Sequence, residues 1–335
     1  DVYKRQLMDS PSYFWFQTIS TVVLVAILIA DLLLAVKRPH IPSAKESTAW
    51  VGFYAGLALV FAAVIWSLFG HIRATEFVAG WLTEYSLSID NLFVFVLIMS
   101  RFAVPKIYQQ QVLMVGIIMA LVLRGLFILV GAALIEQFNW IFYIFGAFLL
   151  YTAYHQAFRT HEDEHQTESK LIRLLRRRVH VSDDFDGAKL TTVVNGRRAF
   201  TPMLVVFAAI AITDVMFAFD SIPAIFGITT DPFIVFTANL FALMGLRQLY
   251  FLLGGLLDRL EYLKYGISFI LAFIGFKLIT HAMHVNELPF INGGEHIEWA
   301  PNIDSITSLG VIVVSIAVSA AVSLIAARTR TNHTA

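Results

Sequence analysis

Runs of apolar residues long enough to cross a bilayer recur along the chain, separated by short polar turns and one long charged loop. A helix needs about 20 apolar residues to span the hydrocarbon core. Nine stretches approach that length, at about 14–36, 48–70, 78–100, 111–135, 139–158, 202–226, 233–257, 263–282 and 305–327. The pattern predicts an all-α polytopic membrane protein with about nine transmembrane helices. The first stretch is not read as a signal peptide, because it is too long and has no basic flank followed by a small-residue cleavage site. Several of the nine are interrupted by charge, the third and sixth by acids.

Composition agrees with this reading. Of 335 residues, 58% are hydrophobic and 14% charged, and the mean hydropathy is +0.72. A soluble domain carries roughly 25% charged residues. The formal net charge is zero, which argues against a nucleic-acid partner. With no cysteine, disulfides and thiolate metal sites are excluded. Residues 1–7 precede the first methionine, Met8, and are set aside as an expected cloning or sequencing scar.

Lys and Arg concentrate in cytoplasmic loops. Here they lie in alternate connections: Lys37, Arg38 and Lys45; Arg101 and Lys106; nine residues from Arg159 to Arg198; Arg259; and Arg328 and Arg330. The intervening loops hold only Arg73. The N-terminus is therefore expected outside and the C-terminus in the cytoplasm of a bacterial inner or plasma membrane.

The acidic spans match each other. The third reads Glu84-Tyr-Ser-Leu-Ser-Ile-Asp90-Asn91 and the sixth Asp214-Val-Met-Phe-Ala-Phe-Asp220-Ser221. Each precedes a span with one buried arginine, Arg124 and then Arg247, and the spans after those share a loose aromatic pattern. Residues 78–158 and 202–282 thus read as two copies of a three-helix unit. Three is odd, so the copies cross in opposite senses, and inverted repeats of this kind place a transport site near the midplane. The other parts are an N-terminal region with two spans (1–77), a cytoplasmic loop (159–201), an external loop (283–304) and a last span with its tail (305–335).

Burial energetics sharpen the point. Facing lipid, Asp31, Glu84, Asp90, Asp214 and Asp220 would together cost on the order of 10 kcal/mol. Their basic partners are Arg124, Arg247 and Lys277, and five acids against three bases leave two negative charges over. One divalent cation or two protons would balance them. Residues six apart are about 240° apart on a helix, so Glu84 and Asp90 share a cavity only if their helix is central or unwound. Pro223 predicts a break in the sixth span, freeing carbonyls that suit hard cations. Carboxylate, amide and carbonyl oxygens suit magnesium, calcium and manganese. Met216 offers a softer contact favouring manganese, against the commoner role of methionine in packing.

At these residues the chain resembles the TerC family of integral membrane proteins. The likeness is carried by Glu84 to Asn91, Asp214 to Phe226, Thr229-Thr230-Asp231-Pro232-Phe233, Asn239 to Arg247 and Leu263 to Gly266, and spans roughly residues 14–327. It implies a cation exporter, manganese foremost, with links to tellurite resistance and pH stress. It also implies that Glu84, Asp90, Asn91, Asp214, Asp220 and Asn239 lie in or near the ion path. Members usually carry Lys where this chain has His155, a titratable group that would make transport more pH-dependent.

Together these observations predict a secondary transporter, not an enzyme, that exports a divalent metal such as Mn²⁺ in exchange for protons. Glu84, Asp90, Asp214 and Asp220 would bind the metal, helped by Asn91, Ser221 and Asn239, while Arg124, Arg247, Lys277, Asp31 and His155 would serve as ion-pair and gating residues. No permanently bound cofactor is expected; the metal is cargo. The expected partners are the lipid bilayer, metal ions, protons and a second copy of the chain. The alternatives are a non-transporting chaperone for inserting or metallating envelope proteins, or a tellurite-resistance component. Weaker signals are the run His161-Glu-Asp-Glu-His165, a basic amphipathic stretch over 168–179 and a hairpin turn at Asn195-Gly196. The external loop also groups His281, His284, Glu287, Glu295, His296 and Glu298. No P-loop is present, so ATP-driven pumping has no support.

Overall fold

The computed structural model describes residues 11–37, 42–158, 186–187, 189–194, 197–253 and 262–333. Among these, the side chains of some helical residues, including Asp90, Asn91 and Asp220, lie outside the description. In chain order the helices are α1 (Pro11–Lys37), α2 (Ala44–Phe69), α3 (His71–Arg101), α4 (Lys106–Gln137), α5 (Ile141–Phe158), α6 (Pro202–Phe226), α7 (Pro232–Met244), α8 (Leu246–Leu253), α9 (Leu263–His284) and α10 (Ser305–His333). Strands β1 (Thr191–Val194) and β2 (Arg197–Phe200) pair antiparallel with Val194 opposite Arg197. This agrees with the expected hairpin, although Asn195 and Gly196, like 161–165 and 168–179, lie outside the described residues.

Local chemistry sets the helix starts. Ser43 accepts from the Glu46 N–H ahead of α2, and Asp231 from the Phe233 N–H ahead of α7, each satisfying a donor the helix leaves open. Pro202 and Pro232 occupy first-turn positions, where a missing N–H costs nothing. The expected break at Pro223 is not found: α6 runs through it to Phe226. The proline lies in the last turn and leaves only the Phe219 carbonyl, two turns before the helix end, without its backbone donor. The interruption falls instead at Gly245, between α7 and α8.

Each predicted stretch overlaps helix among the described residues, 254–257 lying outside them, and seven helices are long and apolar enough to cross a membrane, with α7 and α8 counted together. The two others are α3, which carries Arg73, Glu76, Glu84 and Asp90, and α5, 18 residues long with His155 and Gln156 in its last turns. Helix α3 packs against α2, α6, α7 and α10, so most of its described polar side chains face protein and not lipid. In α1, α2 and α10, by contrast, only 22% of the apolar window is buried, which suits helices on the lipid-facing rim.

Partner choice among the central helices is reciprocal. The first helix of each expected unit packs on the second helix of the other, α3 on α7 and α6 on α4, while the third helices, α5 and α9, pack on each other. At that last crossing a Cβ on Gly146 would lie 2.8 Å from the Gly275 carbonyl oxygen, and a Cβ on Gly275 would lie 2.9 Å from the Gly146 carbonyl oxygen. Small residues let membrane helices approach until their backbones touch.

Loop ends sort into two groups by contact. Tyr13 at the start of α1 bonds Asp231 before α7, Thr229 donates to Glu76 near the start of α3 at 2.8 Å, and Asn139 donates to Glu287 at 2.9 Å. These contacts tie the α6–α7 connection to the starts of α1 and α3, and the α4–α5 connection to the α9–α10 connection. At the other group, Tyr250 near the end of α8 donates to Gln109 at the start of α4 at 3.1 Å. Gly146→Ala and Gly275→Ala are each expected to lower stability by about 1–3 kcal/mol through overpacking. Gly56→Ala, where nothing lies within 4 Å, should be neutral, as thermal denaturation in detergent would report.

Candidate functional site: two carboxylates on one buried guanidinium

Glu84 and Asp214 occupy matching places on α3 and α6. Each follows a threonine whose hydroxyl donates back to the carbonyl four residues earlier, Thr83 to Ala79 and Thr213 to Ala209, both at 2.8 Å. Such back-bonding removes the hydroxyl as a competing polar group and locally bends helices. The pattern Ala79…Thr83-Glu84 and Ala209…Thr213-Asp214 extends the repeat beyond the acids, and its signal was present in the sequence.

From α4, Arg124 reaches both acids. It forms an ion pair with Glu84, and its Nη2 lies 3.4 Å from Asp214 Oδ1. The exposures of Arg124, Glu84 and Asp214 are 2%, 0% and 2%. A charge so buried persists only when paired and hydrogen-bonded. One guanidinium thus joins α3 and α6, the first helices of the two expected units, with a formal charge of one base against two acids.

Other oxygens and nitrogens are buried on α3, α6 and α7. Among the described residues, Asp214 Oδ2, the hydroxyls of Ser88 and Ser221 and both amide atoms of Asn239 have no hydrogen-bond partner. Ser88 is one turn beyond Glu84 and was not singled out by sequence reasoning. Native proteins leave few buried polar groups unsatisfied, and the oxygens of this set suit a hard cation. Asp90, Asn91 and Asp220 lie on α3 and α6 six or seven residues past Glu84 and Asp214, with side chains outside the described residues. Among the described residues no group of three or more His, Asp or Glu is placed to hold a metal.

The remaining basic candidates are elsewhere. Arg247 Nη2 pairs with Asp31 on α1 at 2.8 Å, and the Tyr54 hydroxyl also bonds Asp31. Lys277 donates to Ser308 on α10 at 2.9 Å, with Glu76 and Asp304 as its acidic neighbours. Asp304 accepts from the Thr307 N–H at 3.2 Å, and hydrogen bonds from Thr307 hold its carboxyl below the usual range. His155 is exposed and packs against Tyr151, while Met216 is 46% exposed, which favours its packing role. The loop over 283–304, expected to be external, is stitched by Asn286, which donates to the carbonyls of Ile291 and Glu295 at 2.7 and 3.1 Å, and His296 bonds the His284 carbonyl. Its carboxylates are exposed and do not converge.

Comparison with known proteins matches residues 69–331 to the integral membrane protein TerC family. An uncharacterized membrane protein of Mycobacterium tuberculosis (strain H37Rv) is 43% identical over 330 residues, 97% of this chain and 82% of the relative. An uncharacterized membrane protein of Myxococcus xanthus is 42% identical over 254 residues, 76% of this chain and 80% of the relative. A protein of Escherichia coli (strain K12), provisionally named membrane-bound redox modulator Alx, is 44% identical over 268 residues, 77% of this chain and 83% of the relative. No solved structure matches. The family match begins at residue 69, so α1 and nearly all of α2 lie before it, whereas the mycobacterial likeness extends over them.

Removing the shared base is expected to be costly. Arg124→Gln leaves two buried carboxylates facing each other and should destabilise the protein by about 3–5 kcal/mol. Adding Glu84→Gln should recover part of the loss, both measured by thermal denaturation in detergent.

Proposed function

The chain belongs to the TerC family of integral membrane proteins, and on that premise we propose that it is a secondary transporter exporting a divalent cation, Mn²⁺ foremost, in exchange for protons. The carrying observation is the unbalanced charge of Glu84, Asp214 and Arg124 at the meeting of the two three-helix units. Asp90 and Asp220, one and two-thirds turns further along the same helices, would complete the carboxylate set, with Asn91, Ser221 and Asn239 as neutral oxygen donors. Reciprocal helix pairing supports reading the two units as an inverted repeat within nine crossings, and the loop charges support an external N-terminus and a cytoplasmic C-terminus.

On this reading Arg124 keeps the two acids ionised and apart when no cation is bound. A cation from the cytoplasm takes over part of that charge. Protons arriving from outside neutralise the carboxylates and release it, and their loss to the cytoplasm restores the site. The hard oxygen set favours Mn²⁺, Mg²⁺ or Ca²⁺ over copper and zinc. The name of the E. coli relative points to redox modulation, but this sequence has no cysteine for thiol exchange. A chaperone role and a tellurite-resistance role are not favoured by any feature of the site.

Uptake of Mn²⁺ into inside-out vesicles tests the proposal. The intact protein should give saturable uptake, lost in Asp90→Asn and Asp220→Asn variants that still fold; a folded, intact protein that moves no divalent ion would contradict it. In pH-clamped vesicles, each metal movement should be matched by opposite proton movement, and metal flux without it would remove the exchange step.

A further inference from the structure

The connection between α9 and α10 is folded around one buried amide. Asn286 donates to the Ile291 and Glu295 carbonyls at 2.7 and 3.1 Å. Its oxygen accepts from the Tyr143 hydroxyl of α5 and from the Leu288 N–H, both at 3.3 Å. The Ile297 N–H returns to the Met283 carbonyl, in the last turn of α9, at 3.0 Å, and the Ile297 and Ala300 side chains are buried. Two large rings stand outward from this frame. Phe290 is 81% exposed and Trp299 80%, more than any other large apolar side chain among the described residues. Phe is a residue of interiors, and exposed apolar surface held on a fixed frame marks a place of contact.

Two contacts hold this loop level with the ends of the membrane helices. Helices α4 and α5 are joined by Phe138, Asn139 and Trp140 alone, a link of about 10 Å at full stretch, so that turn stays at the helix ends. Asn139 donates to Glu287 at 2.9 Å, and Phe290 is only three residues beyond Glu287. Trp299 is two residues past Ile297 and is thereby held beside the last turn of α9. The turn adds rings of its own: Phe138 and Trp140 are both exposed, with centroids 5.7 Å apart. Aromatic rings concentrate where lipid headgroups meet acyl chains, and elements lying in that layer use Trp and Phe on their apolar side. The loop has no Lys or Arg and exposes the carboxylates of Glu287, Glu295 and Glu298. Attraction to anionic headgroups therefore cannot hold it down, and the rings must carry the contact.

We propose that residues 286–300 form an interfacial anchor, lying on the bilayer with Phe290 and Trp299 in the boundary between headgroups and acyl chains. What covers the two rings is lipid of the leaflet at this end of the helices, continuous with the lipid around Phe138 and Trp140. Asn286 ties the anchor to α5 and Ile297 ties it to α9, so the rings set the depth at which those two helices end. A contact made by rings is indifferent to salt and to headgroup charge. The anchor is independent of what the protein transports.

The absence of cysteine supplies the test. Phe290→Cys, Trp299→Cys and Glu298→Cys each give the whole chain one thiol for a nitroxide label, in phosphatidylcholine vesicles. Power-saturation paramagnetic resonance then reads depth, from relaxation by oxygen against relaxation by a water-soluble nickel chelate. The labels at 290 and 299 should lie about 5–10 Å into the headgroup and acyl boundary, and the label at 298 on the water side. Those depths should not change in high salt or when phosphatidylglycerol is added. Nickel access at 290 and 299 as in bulk water would overturn the proposal, leaving a loop that stands clear of the bilayer. Shielding from both reagents would overturn it too, in favour of a protein partner or a second copy on the rings. Where a label disturbs the fold, the unlabelled protein decides. Phosphatidylcholine brominated near its carbonyl end should quench the tryptophan fluorescence, and Trp299→Phe should lose part of that quenching; equal quenching in both proteins would contradict the anchor.

Discussion

A guanidinium fully buried in an apolar domain has few stable arrangements, and Arg124 adopts one of them, between Glu84 and Asp214. The cost of desolvating three charges is met only if all three stay together, so α3, α4 and α6 are fixed relative to one another by this contact. Because one acid comes from α3 and the other from α6, the same contact joins the two acid-bearing helices. Helix α3 can then carry five charged residues within 31 because it is enclosed by α2, α6, α7 and α10.

Other charges are paired away from Arg124: Asp31 with Arg247, and Lys277 with the Ser308 hydroxyl, near Glu76 and Asp304. Around Arg124 the acids outnumber the base, and partnerless hard donors from Ser88, Ser221 and Asn239 lie on the helices that meet there. A buried, oxygen-rich cluster with acid in excess attracts a cation or protons, and the proposed transport cycle exchanges the two.

Much of this was legible in the sequence. Apolar length marked the helices, and the acids at Glu84 and Asp214 marked α3 and α6 as the spans that meet at a base. The threonine before each acid carried the same message and was overlooked, because a Thr in an apolar run looks like packing. Pairing was less legible. Five acids and three bases can be counted, but which base meets which acid depends on helix neighbours, and α1 captured Arg247 although the repeat alone gives it no such partner. The position of the broken span was misread. Pro223 lies where a helix end absorbs it, whereas a lone glycine such as Gly245 costs only about 1 kcal/mol in a helix and gives a weak signal.

The most direct measurement is equilibrium binding of Mn²⁺ to the purified protein, followed by loss of the free-ion electron paramagnetic resonance signal. The account predicts one saturable ion per chain, displaced as the pH falls because protons compete for the same carboxylates, and abolished in Glu84→Gln with Asp214→Asn. Unchanged binding in that folded double variant would contradict a carboxylate site centred on Arg124.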